Sequence, residues 1–140
     1  MLYCYMNKND IANEFNNITV QCLDFVYNET KNKDISFYRK IISSLNKADV
    51  SKIIEQFIIY CYEYKSQVLE KNIDFFLNTN FTNEKKDVLS NKCLLQIMNL
   101  KDLIKKSNKD TIDHVFQYLI VLFSLSDNYL KQSNLLKQSI

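Results

Sequence analysis

The sequence predicts an all-α fold, a single domain over residues 1–140 built as a bundle of five or six helices around an apolar C-terminal helix. Gly and Pro are both absent, although tight hairpin turns depend on residues that adopt positive φ or that fix φ. Apolar residues recur at helical spacing along most of the chain. Hydrophobic residues make up 46% of the chain, so a chain of this length can bury a core without a disulfide or metal.

The first helix is predicted from Asp10 to Tyr27, because Ile11, Phe15, Ile18, Cys22 and Phe25 repeat at intervals of three and four. Asn9 or Asp10 is the expected N-cap. The polar stretch from Asn28 to Asp34 is predicted to be a loop.

The second helix is predicted from Ser36 to Leu45, with Asp49 as a cap or first-turn acid for the helix that follows. Its apolar set is Phe37, Tyr38, Ile41, Ile42 and Leu45. The third helix is predicted from Val50 to Leu69. Tyr60 and Tyr62 lie on its flanks, where a tyrosine ring is buried and its hydroxyl stays in water.

A short helical cluster is predicted around Ile73 to Phe81, followed by Thr82 as the cap of a long helix from Asn83 to Lys106. Ser107 and Asp110 have the spacing of a capping box for the last helix. That helix is predicted from Lys109 or Asp110 to Leu130, and residues 131–140 either extend it or fray.

The most apolar stretch of the chain runs from Asp113 to Lys131, and its uninterrupted apolar run spans only Tyr118 to Phe123. A membrane-spanning helix needs about 20 mostly apolar residues, so no membrane span is predicted. A helix that is apolar on all sides is expected to lie at the centre of a bundle.

Several classes of enzyme are excluded by composition. A chain without Gly has no P-loop, no dinucleotide-binding fingerprint and no nucleophile elbow. It also has no HExxH pattern, so metal-assisted hydrolysis is not expected. His114 lies four residues after Asp110, but no nucleophile motif accompanies it, and we interpret it as a surface histidine. The sequence therefore predicts a non-enzymatic protein with no catalytic residues and no cofactor.

The four cysteines, Cys4, Cys22, Cys61 and Cys93, form no CxxC pair and have no histidine nearby. No metal site is expected. Three of them fall on apolar stripes, where Cys acts as a small buried hydrophobe, with a disulfide between stripe cysteines as the less favoured alternative. The N-terminus has no signal-peptide pattern, so we expect an intracellular protein.

Two surfaces are candidates for a partner. An apolar groove between helices would be formed by the short phenylalanine cluster, Phe75, Phe76 and Phe81. A basic face would be formed by the lysines of the fifth helix and the loop after it: Lys85, Lys86, Lys92, Lys101, Lys105, Lys106 and Lys109. The net charge is only +2 and the chain has a single Arg, so nucleic-acid binding is the less favoured of the two uses.

The second half of the chain, from "NIDFFLNTNF" to "DHVFQYLIVLFSLSDNYL", resembles short, uncharacterised helical proteins of large cytoplasmic DNA viruses. The resemblance is carried by the "FF" phrase and by Tyr118, Leu119, Leu122, Leu125 and Tyr129 in the final helix. It implies a viral accessory or virion component, in the host cytoplasm or the virion, and it supplies no catalytic residues. The high content of Asn, Lys and Ile is typical of an AT-rich genome.

The function predicted from the sequence is a protein–protein interaction module with an unidentified partner, and homo-oligomerisation remains open. One alternative is a viral Bcl-2-like modulator, which would bind an amphipathic host helix against a bundle with an apolar central helix. The other is a weak nucleic-acid-binding protein that uses the lysine face.

Overall fold

The computed structural model describes residues 6–79 and 94–138, with side chains described as far as residue 133. Over these residues the protein is an all-α bundle, as predicted, and no strand occurs within them. The helices are α1 Lys8–Thr30, α2 Lys33–Ala48, α3 Lys52–Cys61, α4 Lys65–Leu69, α5 Ile73–Asn78, α6 Leu94–Ile97, α7 Leu100–Lys106 and α8 Lys109–Gln138, with a 3₁₀ turn at Tyr62–Tyr64 between α3 and α4.

Helix α1 begins earlier than predicted, because the cap is Asn7 and not Asn9 or Asp10. The Asn7 side chain accepts a hydrogen bond from the backbone N–H of Asp10, at 2.8 Å. This bond satisfies one of the N–H groups that a helix start leaves without an intrahelical partner.

The predicted loop from Asn28 to Asp34 is wrong, since only Lys31 and Asn32 separate α1 from α2. Lys31 ends α1 in the left-handed conformation, with φ 56°, and its N–H donates to the carbonyl of Tyr27. Asn32 then caps α2 by accepting from the N–H of Asp34. The chain has no Gly for this position, so a lysine takes a conformation that Gly usually occupies at helix ends.

Helix α2 extends beyond the predicted Ser36–Leu45 at both ends. The predicted third helix is divided by the 3₁₀ turn at Tyr62–Tyr64. Asp49 acts just before α3, where its carboxylate accepts from both the N–H and the hydroxyl of Ser51. The described part of the predicted short cluster is confirmed as α5, which Asn72 caps by accepting from the N–H of Phe75.

The predicted helix from Asn83 to Lys106 is interrupted within its described part. Asn99, with φ 53° and ψ 56°, is left-handed and separates α6 from α7. Asparagine tolerates this conformation better than most residues, so the break needs neither Gly nor Pro. Thr82 and the predicted start of this helix lie outside the described residues.

Helix α8 continues to Gln138, so of the two predicted alternatives the tail extends the helix as far as that residue. Its first turn is capped by Asn108, whose side chain accepts from the N–H of Thr111 at 2.8 Å. The predicted Ser107–Asp110 capping box is therefore wrong, and Ser107 instead ends α7.

The core forms where α8 packs against α1, α3 and α5. Its aromatic side chains meet edge-on or tilted, with ring centroids 5.1 Å apart for Phe15 and Phe57, 4.9 Å for Phe57 and Phe123, and 5.8 Å for Phe76 and Phe116. The α8 side chains in this core are fully buried: Val115, Phe116, Leu119, Leu122, Phe123 and Leu125. Among the described residues, no helix is both long and apolar enough to cross a membrane.

Candidate interaction surface

The outward side of the α2–α3 pair is the surface on which large apolar side chains are most exposed. Both helices pack on α1. Their buried residues, Ile35, Tyr38 and Ile42 on α2 and Ile53, Ile54 and Phe57 on α3, point into the core. Since a helix has opposite sides about half a turn apart, the remaining sides of both helices point away from α1. We use the name α2–α3 outer face for the exposed residues on those sides of α2 and α3 and in the 3₁₀ turn that follows: Lys33, Phe37, Lys40, Ser44, Lys47, Glu55, Ile59 and Glu63.

Phe37 lies in the second turn of α2 and Ile59 in the last turn of α3. Phe37 is 56% exposed and Ile59 is 70% exposed. The prediction that Phe37 belongs to the apolar set buried by the second helix is therefore wrong, because the residues that α2 buries lie on its other side. The helical spacing of the sequence could have predicted this exposure, because Phe37 lies one position before buried Tyr38 and therefore points about 100° away from it around the helix.

The charges on the two halves of the outer face differ in sign. Lys33, Lys40 and Lys47 are exposed on α2. Glu55 is exposed on α3, one turn before Ile59, and Glu63 is exposed in the 3₁₀ turn that follows α3. No ion pair within the described part of the chain involves Lys40 or Glu63. Lysines thus flank Phe37 along α2, whereas Ile59 has Glu55 four residues before it and Glu63 four residues after it; Asp34 on α2 and Lys52 on α3 are exposed as well.

Two polar clusters attach the α3 end of this face to α8. The hydroxyl of Tyr62 donates to the carboxylate of Asp127, and the ammonium of Lys65 lies 2.6 Å from the other oxygen of the same carboxylate. The hydrogen bond to Asp127 is the main reason that the pKa of Tyr62 and the pKa of Lys65 are both raised. Tyr62 is partly buried, as expected of a flanking tyrosine, but its hydroxyl is bonded to Asp127 and is not left to water as predicted.

The second cluster joins Tyr129 of α8 to the first turns of α1 and α3. The hydroxyl of Tyr129 donates to Glu55 at 3.2 Å, and the ammonium of Lys8 lies 4.6 Å from the centre of the Tyr129 ring. Burial of Tyr129, followed by the negative charge of Glu55, raises its pKa to about 12. Of the two acids on the outer face, Glu55 is therefore held partly by α8.

The predicted phenylalanine groove is not a single exposed surface. Phe76 is fully buried and its ring meets the ring of Phe116 in the core, so it is unavailable to a partner. Phe75 is partly buried, and its ring centroid lies 6.2 Å from that of Tyr64. Phe81 lies outside the described residues. Residues 75 and 76 differ in burial because adjacent positions on a helix point about 100° apart.

The predicted basic face is described only in part. Lys105, Lys106 and Lys109 are exposed and Lys101 is partly buried. The ammonium of Lys106 lies 3.4 Å from the carboxylate of Asp102, so one of these lysines already has an acidic neighbour. Lys85, Lys86 and Lys92 lie outside the described residues.

His114 is exposed in the first turns of α8, as predicted. Its ring stacks on that of Phe25, with centroids 4.2 Å apart and planes at 17°, and lies 5.1 Å from the ring of Tyr118. Within the described residues no hydrogen bond joins it to Asp110. A general base needs a group that orients it and a substrate beside it, and these contacts instead place His114 in an aromatic cluster between α1 and α8.

Cys22 and Cys61, the cysteines that the structure describes, form no disulfide with each other. The Cys22 sulfur lies 3.7 Å from the sulfur of Met98, and burial raises the pKa of its thiol from 9.0 to about 12. The Cys61 sulfur accepts from the N–H of Leu94 at 3.2 Å. Among the residues that the structure describes, no group of three or more His, Cys, Asp or Glu side chains could hold a metal ion.

A polar cleft of about 390 Å³ lies where the end of α1 meets the α6–α7 and α7–α8 junctions. Glu29, Asn32, Asn99, Asp102 and Lys106 are among the residues that line it. The sequence analysis missed this cleft, because it depends on the left-handed turn at Asn99. The cleft is lined by both acidic and basic side chains. The carboxylate of Asp102 and the ammonium of Lys106 form an ion pair with each other.

Comparison with protein-family models, with curated proteins and with solved structures found no match to this chain.

Proposed function

We propose that this protein is a non-enzymatic protein–protein interaction module and that the α2–α3 outer face is its binding surface. The observation that carries the proposal is the 70% exposure of Ile59 in the last turn of α3, together with the 56% exposure of Phe37 on α2. Exposed apolar side chains that lie together on one surface, with charged residues around them, are typical of interaction sites.

The stability of the isolated chain does not explain an isoleucine at this position. Ile59 is mostly exposed, so it contributes little apolar burial to the fold. A β-branched residue also forms a helix less readily than Ala, Lys or Glu. The side chain is therefore more useful to a complex than to the folding of α3.

The described side chains also support a binding role better than a catalytic one. The thiol of Cys22 is buried beside Met98, and its raised pKa opposes formation of the thiolate that a nucleophile requires. The Tyr62, Lys65 and Asp127 groups satisfy one another at the junction of two helices.

The proposal is tested by capture from the native lysate with tagged wild-type protein, tagged Ile59→Asp and tagged Gln117→Asp. Gln117 is exposed on α8, so the last variant adds the same charge away from the outer face. We expect nuclease-resistant protein partners that remain at high salt, are lost with Ile59→Asp and are retained with Gln117→Asp.

Equal capture by all three proteins would refute a role for the outer face. If the captured material were instead salt-labile and nuclease-sensitive, the lysines of α7 and of the start of α8 would become the better candidate, because phosphate contacts weaken steeply with salt.

A further inference from the structure

We propose that the cleft between α1 and α2 binds a free α-amino acid, whose ammonium group lies towards Asn16 and Glu14 and whose carboxylate lies towards Lys47. The cleft has a volume of about 690 Å³, which is within the usual range for sites that bind small molecules. This binding goes beyond the function proposed for the α2–α3 outer face and does not depend on it. The observation that carries it is a buried side chain at the cleft with an unpartnered oxygen.

Asn16 of α1 is that side chain. It is 2% exposed, and it is one of the residues that line the cleft. Its Nδ2 group donates to the Oδ1 atom of Asn46 at 2.6 Å and to the backbone carbonyl of Val50 at 3.0 Å. Because a backbone carbonyl only accepts hydrogen bonds, the Nδ2 side of the amide must face Val50. Both Nδ2 hydrogens are therefore used, and the orientation of the Asn16 amide is fixed.

The Oδ1 atom of Asn16 is the group that remains for a ligand. It is buried and has no hydrogen-bond partner among the described residues. A buried acceptor without a donor costs free energy, so a ligand that donates an N–H to this oxygen removes that cost. Since the oxygen is covered, a side chain must turn aside to admit the donor. Asn17, Gln21 and Ser43 line the cleft and are exposed, and exposed side chains change rotamer rapidly.

Two contacts fix the relative direction of α1 and α2. Asn16 of α1 is bonded to Asn46 of α2, and the carboxylate of Asp24 on α1 lies 2.5 Å from the guanidinium of Arg39 on α2. The position of contact thus advances along α1 as it moves back along α2. The two helices are antiparallel, so residues shortly before Asn16 are level with residues shortly after Asn46.

Opposite charges lie at this end of the cleft. Glu14, two residues before Asn16, and Lys47, one residue after Asn46, both line it. Glu14 is partly buried, and Lys47 is exposed at the edge where the outer face meets the cleft. Neither has an ion-pair partner within the part of the chain that the structure describes. A small molecule with both a cation and an anion therefore meets a carboxylate on α1 and an ammonium on α2.

The rest of the lining narrows the class of ligand. Among the described residues no aromatic side chain lines the cleft, whereas nucleobases are commonly bound by stacking on aromatic rings. Its single lysine is balanced by a single carboxylate, so a phosphate group is not favoured. Asn17 and Gln21 both donate and accept hydrogen bonds, and Val20 and Ile42 add apolar contact. A free α-amino acid is a simple molecule that matches this lining, because it is net neutral and carries N–H donors and a carboxylate.

The test is isothermal titration calorimetry of the purified full-length protein with each of the standard L-amino acids in turn. The one that binds best is then compared with its N-acetyl derivative, which lacks the ammonium charge, and with its carboxamide, which lacks the carboxylate. We expect at least one amino acid to bind with a dissociation constant below about 1 mM. Each derivative should bind about tenfold more weakly, because hydrogen bonds between charged groups are stronger than those between neutral groups.

Three variants test the residues of the cleft: Glu14→Gln, Lys47→Gln and, as a control, Lys40→Gln. Lys40 is exposed on the same helix as Lys47 and does not line the cleft. Each change replaces a charge by a neutral amide, and thermal melts establish that the variants remain folded. We expect the two variants of the cleft to bind the amino acid about tenfold more weakly and the control to bind it as the wild type does.

Asn16 is followed without mutation, because a substitution there would leave the carbonyl of Val50 without its donor. In nitrogen–proton NMR spectra, the side-chain amide resonances of Asn16 should shift when the amino acid is added, since donation to Oδ1 changes the polarity of that amide. Backbone resonances of residues 14–21 and 42–47 should shift with them, whereas those of α7 should not.

Failure of every amino acid to bind would overturn the proposal. So would binding that Glu14→Gln and Lys47→Gln leave unchanged, or NMR shifts confined to residues away from the cleft. Ile59 does not line the cleft, and the calorimetry uses only purified protein. The lysate capture with Ile59→Asp can therefore fail while the amino acid still binds, and the amino acid can fail to bind while the capture succeeds.

Discussion

Replacing Leu119 with Ala tests whether α8 is the centre of the bundle. Leu119 is fully buried, so the substitution removes three carbon atoms from the core. At about 0.8 kcal/mol for each buried carbon, the lost transfer free energy is about 2.4 kcal/mol. The cavity left behind adds to this, and buried Leu→Ala changes cost about 3–5 kcal/mol in total.

Leu69→Ala is the matched control, because it makes the same chemical change at a residue that is 48% exposed. About half of that side chain is already in water, so we expect a loss of about 1 kcal/mol or less. Urea denaturation followed by circular dichroism gives the free energy of unfolding of both variants. For a chain of this length, a loss of 3 kcal/mol lowers the melting temperature by roughly 10 °C.

Equal losses in the two variants would refute the assignment of Leu119 to a close-packed core. A neutral Leu119→Ala would have the same meaning, since a side chain that can be truncated without cost cannot be tightly packed on all sides.

Three further predictions concern the helix ends, the thiols and the pH dependence of stability. Lys31→Gly should stabilise the fold by up to about 1 kcal/mol, because Gly adopts the left-handed conformation at this position without the strain that a lysine has there. The control Lys131→Gly, inside α8, should destabilise the fold by about 1 kcal/mol or slightly less. Urea denaturation measures both changes, and a destabilised Lys31→Gly would contradict the helix-end argument. Cys22 should resist alkylation at pH 8 in the folded protein and react once the chain is unfolded, because its thiol is buried and burial raises its pKa to about 12. Rapid alkylation of Cys22 in the folded protein, located by mass spectrometry, would show that solvent reaches this thiol. The pKa of Tyr129 is raised from 10.0 to about 12, so between these pH values its hydroxyl remains protonated in the folded state while it ionises in the unfolded chain. Its contribution to stability is therefore fully present below pH 10 and is lost as the pH rises towards 12. Tyr129→Phe should flatten the pH dependence of the free energy of unfolding over that interval, and an unchanged slope would show that other groups cause the pH dependence.

The class of the fold and the identity of its central helix followed from local features of the sequence. The absence of Gly and Pro and the helical recurrence of apolar residues predicted an all-α bundle, and the structure confirms it. The apolar stretch from Val115 to Leu125 was predicted to be core because every side of the helix carries apolar residues. Six of its side chains are buried, but Gln117 is exposed and Ile120 and Val121 are only partly buried, so α8 is not enclosed on all sides.

The breaks between helices were harder to predict, because this chain marks them with ordinary residues. Lys31 and Asn99 adopt left-handed conformations without Gly, and the caps Asn7 and Asn108 are each one to three residues from the positions expected. Asn occurs throughout the chain, so its local propensity does not distinguish a capping residue from any other. The asparagine that becomes the N-cap is selected by the position at which packing against neighbouring helices makes the helix begin.

The candidate surface depended most on tertiary structure. Phe76 and Phe75 are adjacent and chemically identical, yet only the first enters the core, because Phe116 of α8 lies over it. Ile59 and Phe37 look like core residues by composition, and helical spacing shows only that they lie away from the buried stripes. Both are exposed because α2 and α3 bury their other sides in the core, and that burial depends on contacts between distant parts of the chain. The sequence by itself determined which segments are helical and which helix is most apolar; the tertiary structure decided which apolar side chains remain in water, because burial depends on what packs over a side chain.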